Sequence, residues 1–343
     1  MSNAASTPEF STDLLTIGRS SIDLYSSDIG APFEKISAFN AFVGGCPLNI
    51  ATGCSRLGLR SAILTGLGND KVGDFIQHFL EKEGVGTQWV PRIEGTRTSA
   101  VILGIEPPDR FPLVYYRDNC ADINIDLDHI ESVPFEKLKA VVFSGTAFSK
   151  DPSRTAMLFA LEKCRRHGLL TILDIDFRAD QWRDPRAFGI VIRSVLPMFS
   201  VVLGTEEELL ATYLTDKKQL EIKHQQISAP EVRGDIESAI RGVVSSGVAT
   251  LIVKRGKAGA SVFQPGAAEV KVPGFPVEVV NVLGAGDAFC AGLCYGLLNG
   301  WPLYKSVRMA NACGAIIVTR EGCANFMPTY GEVNGFVEER GGF

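Results

Sequence analysis

Asp287 follows two glycines in the run Asn281-Val-Leu-Gly-Ala-Gly-Asp-Ala-Phe289, which continues into Cys290-Ala-Gly-Leu-Cys-Tyr-Gly-Leu-Leu298. Gly284 and Gly286 permit a tight turn and leave room for a ligand to approach the main chain. The uncharged stretch from Ala288 to Leu298 reads as a helix buried on all sides. Gly292 and Gly296, on one face of it, would let a neighbouring element pack closely. The first turn of a helix offers free N–H groups and the positive end of a dipole, which together make an anion site. An acid at that point is either a helix cap or a catalytic base. The strand-like run Val277-Glu-Val-Val280 ahead of the turn gives the context strand, glycine turn, buried helix.

Other polar groups fall at the C-terminal ends of predicted strands, where open α/β sheets bind ligands. These are Asp23, Asp174, Asp176, Arg178 and Glu207. Asp23 follows the apolar run Asp13–Gly18 and is either an acceptor for sugar hydroxyls or a solvated turn residue. Gly44-Gly45-Cys-Pro-Leu-Asn49 starts a helix, and Asn49 either points back at a ligand or belongs to a plain helix start. Residues 97–125 carry a hairpin signal. In its second strand Tyr115 and Arg117 share a face, where an Arg suits a carboxylate partner or is an ordinary surface residue. A glycine-rich helix start beside a carboxylate fits phosphoryl transfer to a hydroxyl. The amides would hold the moving group and Asp287 would take the proton, a role worth roughly 10²–10⁴-fold. Arg178 would offset developing charge, and Mg²⁺ would be held partly through water and Glu207.

The elements that must position these groups are an alternation of strands and helices from residue 139 onward. Predicted strands at 140–145, 169–174, 200–203 and 250–256 are separated by helices at 153–168 and 236–246, and one begins after 204. A hairpin over 260–275 precedes the glycine turn, and a last helix spans 305–320. This pattern implies an α/β fold: a doubly wound, mostly parallel sheet flanked by helices. Phe33 to Val43 reads as strands of a separate small sheet, and 216–235 as a polar, lysine-rich mobile insertion.

The chain has 343 residues, 45% hydrophobic and 21% charged, with a net charge of −5. That is an ordinary globular composition, without the basic balance that would point to nucleic acid or an anionic membrane. No apolar run reaches spanning length, and the N-terminus lacks the regions of a signal peptide. The eight cysteines contain no C-x-x-C pair and the four histidines are scattered, so buried thiols in a reducing cytoplasm are expected rather than zinc. Gly66-Leu-Gly68 begins a dinucleotide fingerprint whose third glycine would fall on Lys71, and no P-loop occurs.

Two marks carry a resemblance to a family. One is Gly44-Gly45-Cys-Pro-Leu-Asn49 followed by Gly66-Leu-Gly-Asn-Asp70-x-x-Gly73. The other is Gly284-Ala-Gly-Asp287-Ala-Phe followed by Ala310-Asn311-Ala. In this order and spacing they resemble the ribokinase-like, or PfkB, carbohydrate kinases over about residues 13–330. The resemblance implies that Asp287 is the base, that Gly284, Ala285 and Gly286 form the anion hole with it, and that Arg178 reaches substrate and phosphate. It implies sugar contacts from Asp23, Gly44, Gly45, Asn49, Tyr115, Arg117 and Asp176. It implies a nucleotide site at Lys254, Gly256, Gly259 and Asn311, and a metal ligand at Glu207. ATP and Mg²⁺ follow, with K⁺ in question because Asn281-Val-Leu283 stands where many members have Asp-Thr-Thr. The family's Asn-x-x-Glu magnesium motif would start at Gly204.

The expected organisation is a tag remnant and disordered N-terminus at 1–12, a kinase domain at 13–335 with lid strands from about 22–46 and 97–123, and a tail at 336–343. A homodimer through the lid is expected. Tyr115-Tyr-Arg117-Asp-Asn-Cys-Ala-Asp122 and Glu321–Thr329 look like the kinases of 5-dehydro-2-deoxygluconate in myo-inositol breakdown. That makes a small sugar acid and ATP the expected partners, with 2-dehydro-3-deoxygluconokinase and fructokinase as rivals. A Rossmann oxidoreductase and a catalytically dead sugar or nucleotide sensor are the readings from other classes.

Overall fold

A computed structural model describes residues 12–106, 110–223 and 230–343. The expectations for the first eleven residues, and those parts of the Pro-containing turn and the lysine-rich insertion that fall in the two gaps, lie outside them. The chain opens with β1 (Leu14–Ile17), β2 (Ser21–Ser26), β3 (Phe39–Gly44) and helix α1 (Cys46–Arg56). Next come β4 (Ser61–Leu64), the short β5 (Leu67–Gly68), α2 (Lys71–Lys82) and the short β6 (Arg92–Ile93). The hairpin β7 (Ser99–Leu103) and β8 (Leu113–Tyr116) precedes α3 (Leu127–Glu131). A regular alternation follows: β9 (Ala140–Ser144), α4 (Ser153–Arg166), β10 (Leu170–Asp174), α5 (Pro185–Val195), β11 (Val201–Thr205) and α6 (Glu206–Thr212). The short pair β12 (Leu220–Glu221) and β13 (Glu231–Val232) leads to α7 (Ile236–Ser245) and β14 (Thr250–Lys254). β15 (Ala260–Phe263), β16 (Val270–Val272), α8 (Ala285–Leu298), α9 (Leu303–Ile317) and α10 (Tyr330–Glu338) complete it.

The large sheet has the order β16-β15-β14-β11-β10-β9-β1-β4. It is parallel from β14 to β4 and ends in the antiparallel hairpin β15–β16. Its strands are apolar on both faces, as helices on both sides require. Leu15, Val141, Phe143, Leu173 and Val202 face one core with residues of α4, α5 and α7. Their neighbours Leu14, Val142, Ile172 and Leu203 face the other, shared with α1, α8, α9 and α10. The expected doubly wound architecture is what the chain adopts.

The second, four-stranded sheet has the order β3-β2-β7-β8 and rises from the C-terminal edge of β1. Only part of its expected first segment is strand: Phe33–Lys35 is a single 3-10 turn and pairing begins at Phe39. The expected boundary between domain and tail at 335 falls inside α10, whose Val333 and Val337 are buried against the core. Val277 to Val280 is not a strand. These residues run outside any strand ladder, Val280 N–H donating to Val318 O, with Val279 and Val280 more than half exposed and Val277 and Val279 lining a cavity. Alternating apolar residues look alike in sequence whether they face a core or line a cavity, and here they do the latter.

Candidate active site

Helix α8 starts at a left-handed residue, Gly284 (φ 78°, ψ −2°), a conformation that glycine adopts without a Cβ penalty. Among the described residues, the Gly286 and Asp287 N–H groups meet no backbone acceptor, as expected for a first helical turn. Asp287 does not cap this helix. Its carboxylate instead accepts from Asn49 Nδ2 at 2.7 Å, joining the start of α8 to the start of α1. Burial pushes the Asp287 carboxyl up to about 6, while hydrogen bonds from Asn49 and Cys46 pull it back. The cap reading therefore fails and the base reading keeps its geometry.

Two cavities meet at this turn. One, of about 560 Å³, is lined by Gly256, Gly259, Asn311 and the apolar Phe275, Val277, Val279, Val282, Phe289 and Val318. The other, of about 410 Å³, is lined by Asp174, Asp176, Arg178, Glu207, Glu208 and Asp287, with Phe111 on the lid side. Thr205, Lys254, Val282, Ala285 and Gly286 belong to both. Lys254 stands over the helix start: a Cβ at Gly286 would lie 3.0 Å from its Nζ. The ammonium is 3.2 Å from Asp174 and 3.6 Å from Glu208. Burial pushes Asp174 up to about 7, with Lys254 opposing. Lys254 itself loses to desolvation, yet these two carboxylates hold it well above its ordinary range.

The end of β10 supplies the next groups. Asp176 adopts a left-handed backbone (φ 40°) and accepts from Ser144 Oγ at 2.6 Å and Thr146 Oγ1 at 3.1 Å. Arg178 pairs with it at 2.8 Å. Despite burial, these partners hold the Asp176 carboxyl below its usual value. Asp176 thus reads as the residue that fixes Arg178. Asn311 lines the apolar cavity, with its amide nitrogen tied to Val272 O and Pro273 O.

Asp23, expected just past the end of β1, lies within β2 of the small sheet and is buried. It accepts from Ser21 Oγ at 2.6 Å, and burial raises its carboxyl. A side chain at Gly44 would run into the Asp23 carboxylate, and one at Gly45 (φ 109°) into the main chain of Arg19. Asn49 Oδ1 is buried and has no hydrogen-bond partner among the described residues.

One expected residue is corrected, and one gains a neighbour. Arg117 is 3% exposed and lies beneath the site, not in it. Its guanidinium forms a fork to Asp122, at 2.7 Å and 2.6 Å, and also donates to Gln181 Oε1 and Thr146 O. Glu207 stays exposed at the rim. The glutamate that turns inward is Glu208, near Lys254 and Arg178 at 3.6 and 3.8 Å. Thr205 caps α6 in a capping box with Glu208, and the sequence signature Thr-x-x-Glu of such a box was the signal for it. Sequence reasoning also passed over Arg19, a charge placed directly behind the apolar β1.

A family model described as pfkB family carbohydrate kinase matches residues 11–330. A 5-dehydro-2-deoxygluconokinase of Geobacillus kaustophilus (strain HTA426) is 30% identical over 328 residues, 95% of this chain and 94% of that one. Its counterpart from Geobacillus thermodenitrificans (strain NG80-2) is 31% identical over 327 residues, 95% and 93% of the two chains. Among solved structures, a fructokinase double mutant from Vibrio cholerae O395 with fructose, ADP and potassium ion bound superposes with a TM-score of 0.80. It is 24% identical, and the match covers 95% of this chain and 98% of that one.

Proposed function

Because the chain belongs to the pfkB family of carbohydrate kinases, we propose that it transfers phosphate from ATP to a sugar acid, 5-dehydro-2-deoxy-D-gluconate, giving the 6-phosphate in myo-inositol breakdown. The observation that carries the reading is Asp287 in the first turn of α8, half-buried, raised to about 6 and held by Asn49 where the two cavities meet. The relatives that share about 30% of the sequence over nearly the whole chain bear this substrate in their names.

In this reading the apolar cavity takes the adenine and the glycines at 256 and 259 admit the nucleotide close to the main chain. The polar cavity takes the sugar acid. Asp287 accepts the proton of the attacking hydroxyl, and a base with a pKa near working pH suits that task. The Gly286 and Asp287 amides face the phosphoryl group as it moves. Lys254 and Arg178 bring positive charge to the same point. Asn49 Oδ1, a buried acceptor without a donor among the described residues, is completed by a substrate hydroxyl, as is the free side of Asp23.

Mg²⁺ prefers oxygen ligands and keeps several waters. Asp174, Glu208 and the rim Glu207 offer carboxylates beside the phosphate path and would hold the ion through water. Bound there, it would neutralise phosphate charge. Asn281 offers no charge for a monovalent cation: its Oδ1 accepts from Leu283 N at 2.8 Å and its Nδ2 donates to Glu321 O. K⁺ is therefore not a required activator in this proposal.

A homodimer through the lid also belongs to the reading. By register, Ile22, Leu24, Ser26, Phe39, Ala41, Val43, Ala100, Ile102, Val114 and Tyr116 share one face of the small sheet. All but Ser26 are apolar or aromatic, and Phe39, Val114 and Tyr116 are exposed. Such a face calls for a partner. No helix among the described residues is long and apolar enough to cross a membrane, and all eight cysteines are free thiols, which supports a cytoplasmic setting.

The test is ADP release with ATP·Mg²⁺ on 5-dehydro-2-deoxygluconate, 2-dehydro-3-deoxygluconate, fructose, ribose and adenosine. Preference for the first is expected. Preference for the second moves the pathway and keeps the mechanism. Nucleotide binding without turnover on any would favour a sensor.

A further inference from the structure

Arg178 lines the polar cavity partly buried, Arg19 and Arg117 are buried elsewhere in the chain, and the three differ in what answers their charge. Arg178 has Asp176 at 2.8 Å and Arg117 has Asp122 at 2.6 Å. Arg19 is 9% exposed, yet among the described residues no carboxylate lies within ion-pair distance of it. Its one hydrogen bond there runs from Nη1 to Ser21 Oγ at 2.7 Å. The same hydroxyl donates onward to Asp23 at 2.6 Å, so Ser21 stands between the two charges. The guanidinium also lies 5.1 Å from the Tyr115 ring centroid.

A buried guanidinium is costly unless paired. It carries five donors in a planar fork that matches a carboxylate. The nearby acids are already committed elsewhere. Asp122 holds Arg117, Asp176 holds Arg178, Asp23 takes the Ser21 hydroxyl and Asp180 takes Gln181 Nε2 at 3.0 Å. Arg19 therefore has a fork to offer and, among the described residues, no anion to receive it.

We propose that Arg19, with the Tyr115 ring beside it, binds the carboxylate of the sugar-acid substrate and sets the preference for acids over neutral sugars. The inference rests on the sugar-acid reading given above and moves the carboxylate contact from Arg117 to Arg19. Arg19 follows β1 and reaches Ser21 and, through it, Asp23 in β2, with the β8 residue Tyr115 beside it, whereas Asp287, at the start of α8, is held by Asn49. Arg19 thus sits at the lid root and Asp287 at the phosphate path. A sugar acid laid between them has its carboxylate at one end and its terminal hydroxyl at the other.

The experiment compares wild type, Arg19→Met and Arg19→Lys on 5-dehydro-2-deoxygluconate and on fructose, with D-gluconate and D-glucitol binding read by calorimetry. Arg19→Met is expected to lower kcat/KM on the acid by about 50-fold, chiefly through KM, since a lost charged hydrogen-bond pair is worth about that much. The ratio of acid to fructose turnover should fall with it, and D-gluconate binding should weaken while D-glucitol binding does not. Arg19→Lys should recover part of the loss, because it keeps charge without the fork. If Arg19→Met fails to fold, Arg19→Gln, which retains a donor for Ser21, takes its place.

A wild type that phosphorylates the acid together with a variant that keeps this preference, or loses acid and fructose equally, overturns the inference alone. A wild type that acts only on neutral sugars overturns the sugar-acid reading. If D-gluconate then binds neither protein, the Arg19 assignment falls with it.

Discussion

The two cavities on either side of Lys254 are built on opposite principles. The larger is walled by Phe275, Val277, Val279, Val282, Phe289 and Val318, side chains that gain by losing water and ask little of orientation. The smaller is walled by Asp174, Asp176, Arg178, Glu208 and Asp287, groups that must be held in place because each is costly when left unpaired. Its support runs below the surface: Ser144 and Thr146 hold Asp176, which holds Arg178. A nucleotide can be gripped by a greasy wall, but selecting an acceptor and taking its proton requires fixed charges.

Predictions follow from that contrast. Asp287→Asn should lower kcat by about 10²–10⁴-fold while leaving KM for ATP and acceptor within a few-fold. Near-normal turnover in the coupled assay would remove the base assignment. Arg117→Ala should act through the fold rather than the site. It leaves Asp122 buried without its partner, a loss of about 3–5 kcal/mol in denaturant unfolding. A stable variant that loses only acid substrates would return Arg117 to the binding site.

On the apolar side, Val279→Ser should raise KM for ATP by about tenfold, the worth of burying one aliphatic side chain, with acceptor KM unchanged. An equal effect on both substrates would erase the division between the cavities. The pH profile sharpens the polar side. The deprotonated Asp287 carboxylate is the active form, so kcat/KM should rise with pH and level off above about 6. Below that it should fall by about tenfold per pH unit; a flat profile would sink this reading. The smallest effect is expected from exchanging Na⁺ for K⁺, which should leave turnover unchanged, because Asn281 spends its amide on the backbone.

Much of this was legible in the sequence, for local reasons. The turn at Gly284–Gly286, the helix behind it and the placement of Asp287 depend on residues within one short run. The strand and helix alternation after residue 139 was likewise readable, because each strand is apolar on both faces. What escaped depends on distant partners. Asp122 lies only five residues from Arg117, but nothing near them says that Gln181 and Thr146 will meet the other side of that guanidinium and bury the pair. Val277–Val280 has the alternation of a strand, and only the tertiary arrangement shows those valines facing a cavity. Glu207 lines the polar cavity, while its inward neighbour Glu208 was passed over because its place is set by the capping box with Thr205.

The glycines in α8 have a further consequence. A Cβ at Gly292 would lie 2.8 Å from Cys313 Sγ and 2.9 Å from Ala310 Cα, and one at Gly296 would lie 2.5 Å from Ser306 Oγ. The two helices touch main chain to side chain along that seam, leaving no slack for α8 to slide or roll against α9. Asp287 is thus carried on an anvil. In the proposed reaction the adjustments that align hydroxyl, base and phosphate would then fall to the substrate, so substitutions that loosen the seam would blur the timing of the reaction before they emptied either cavity.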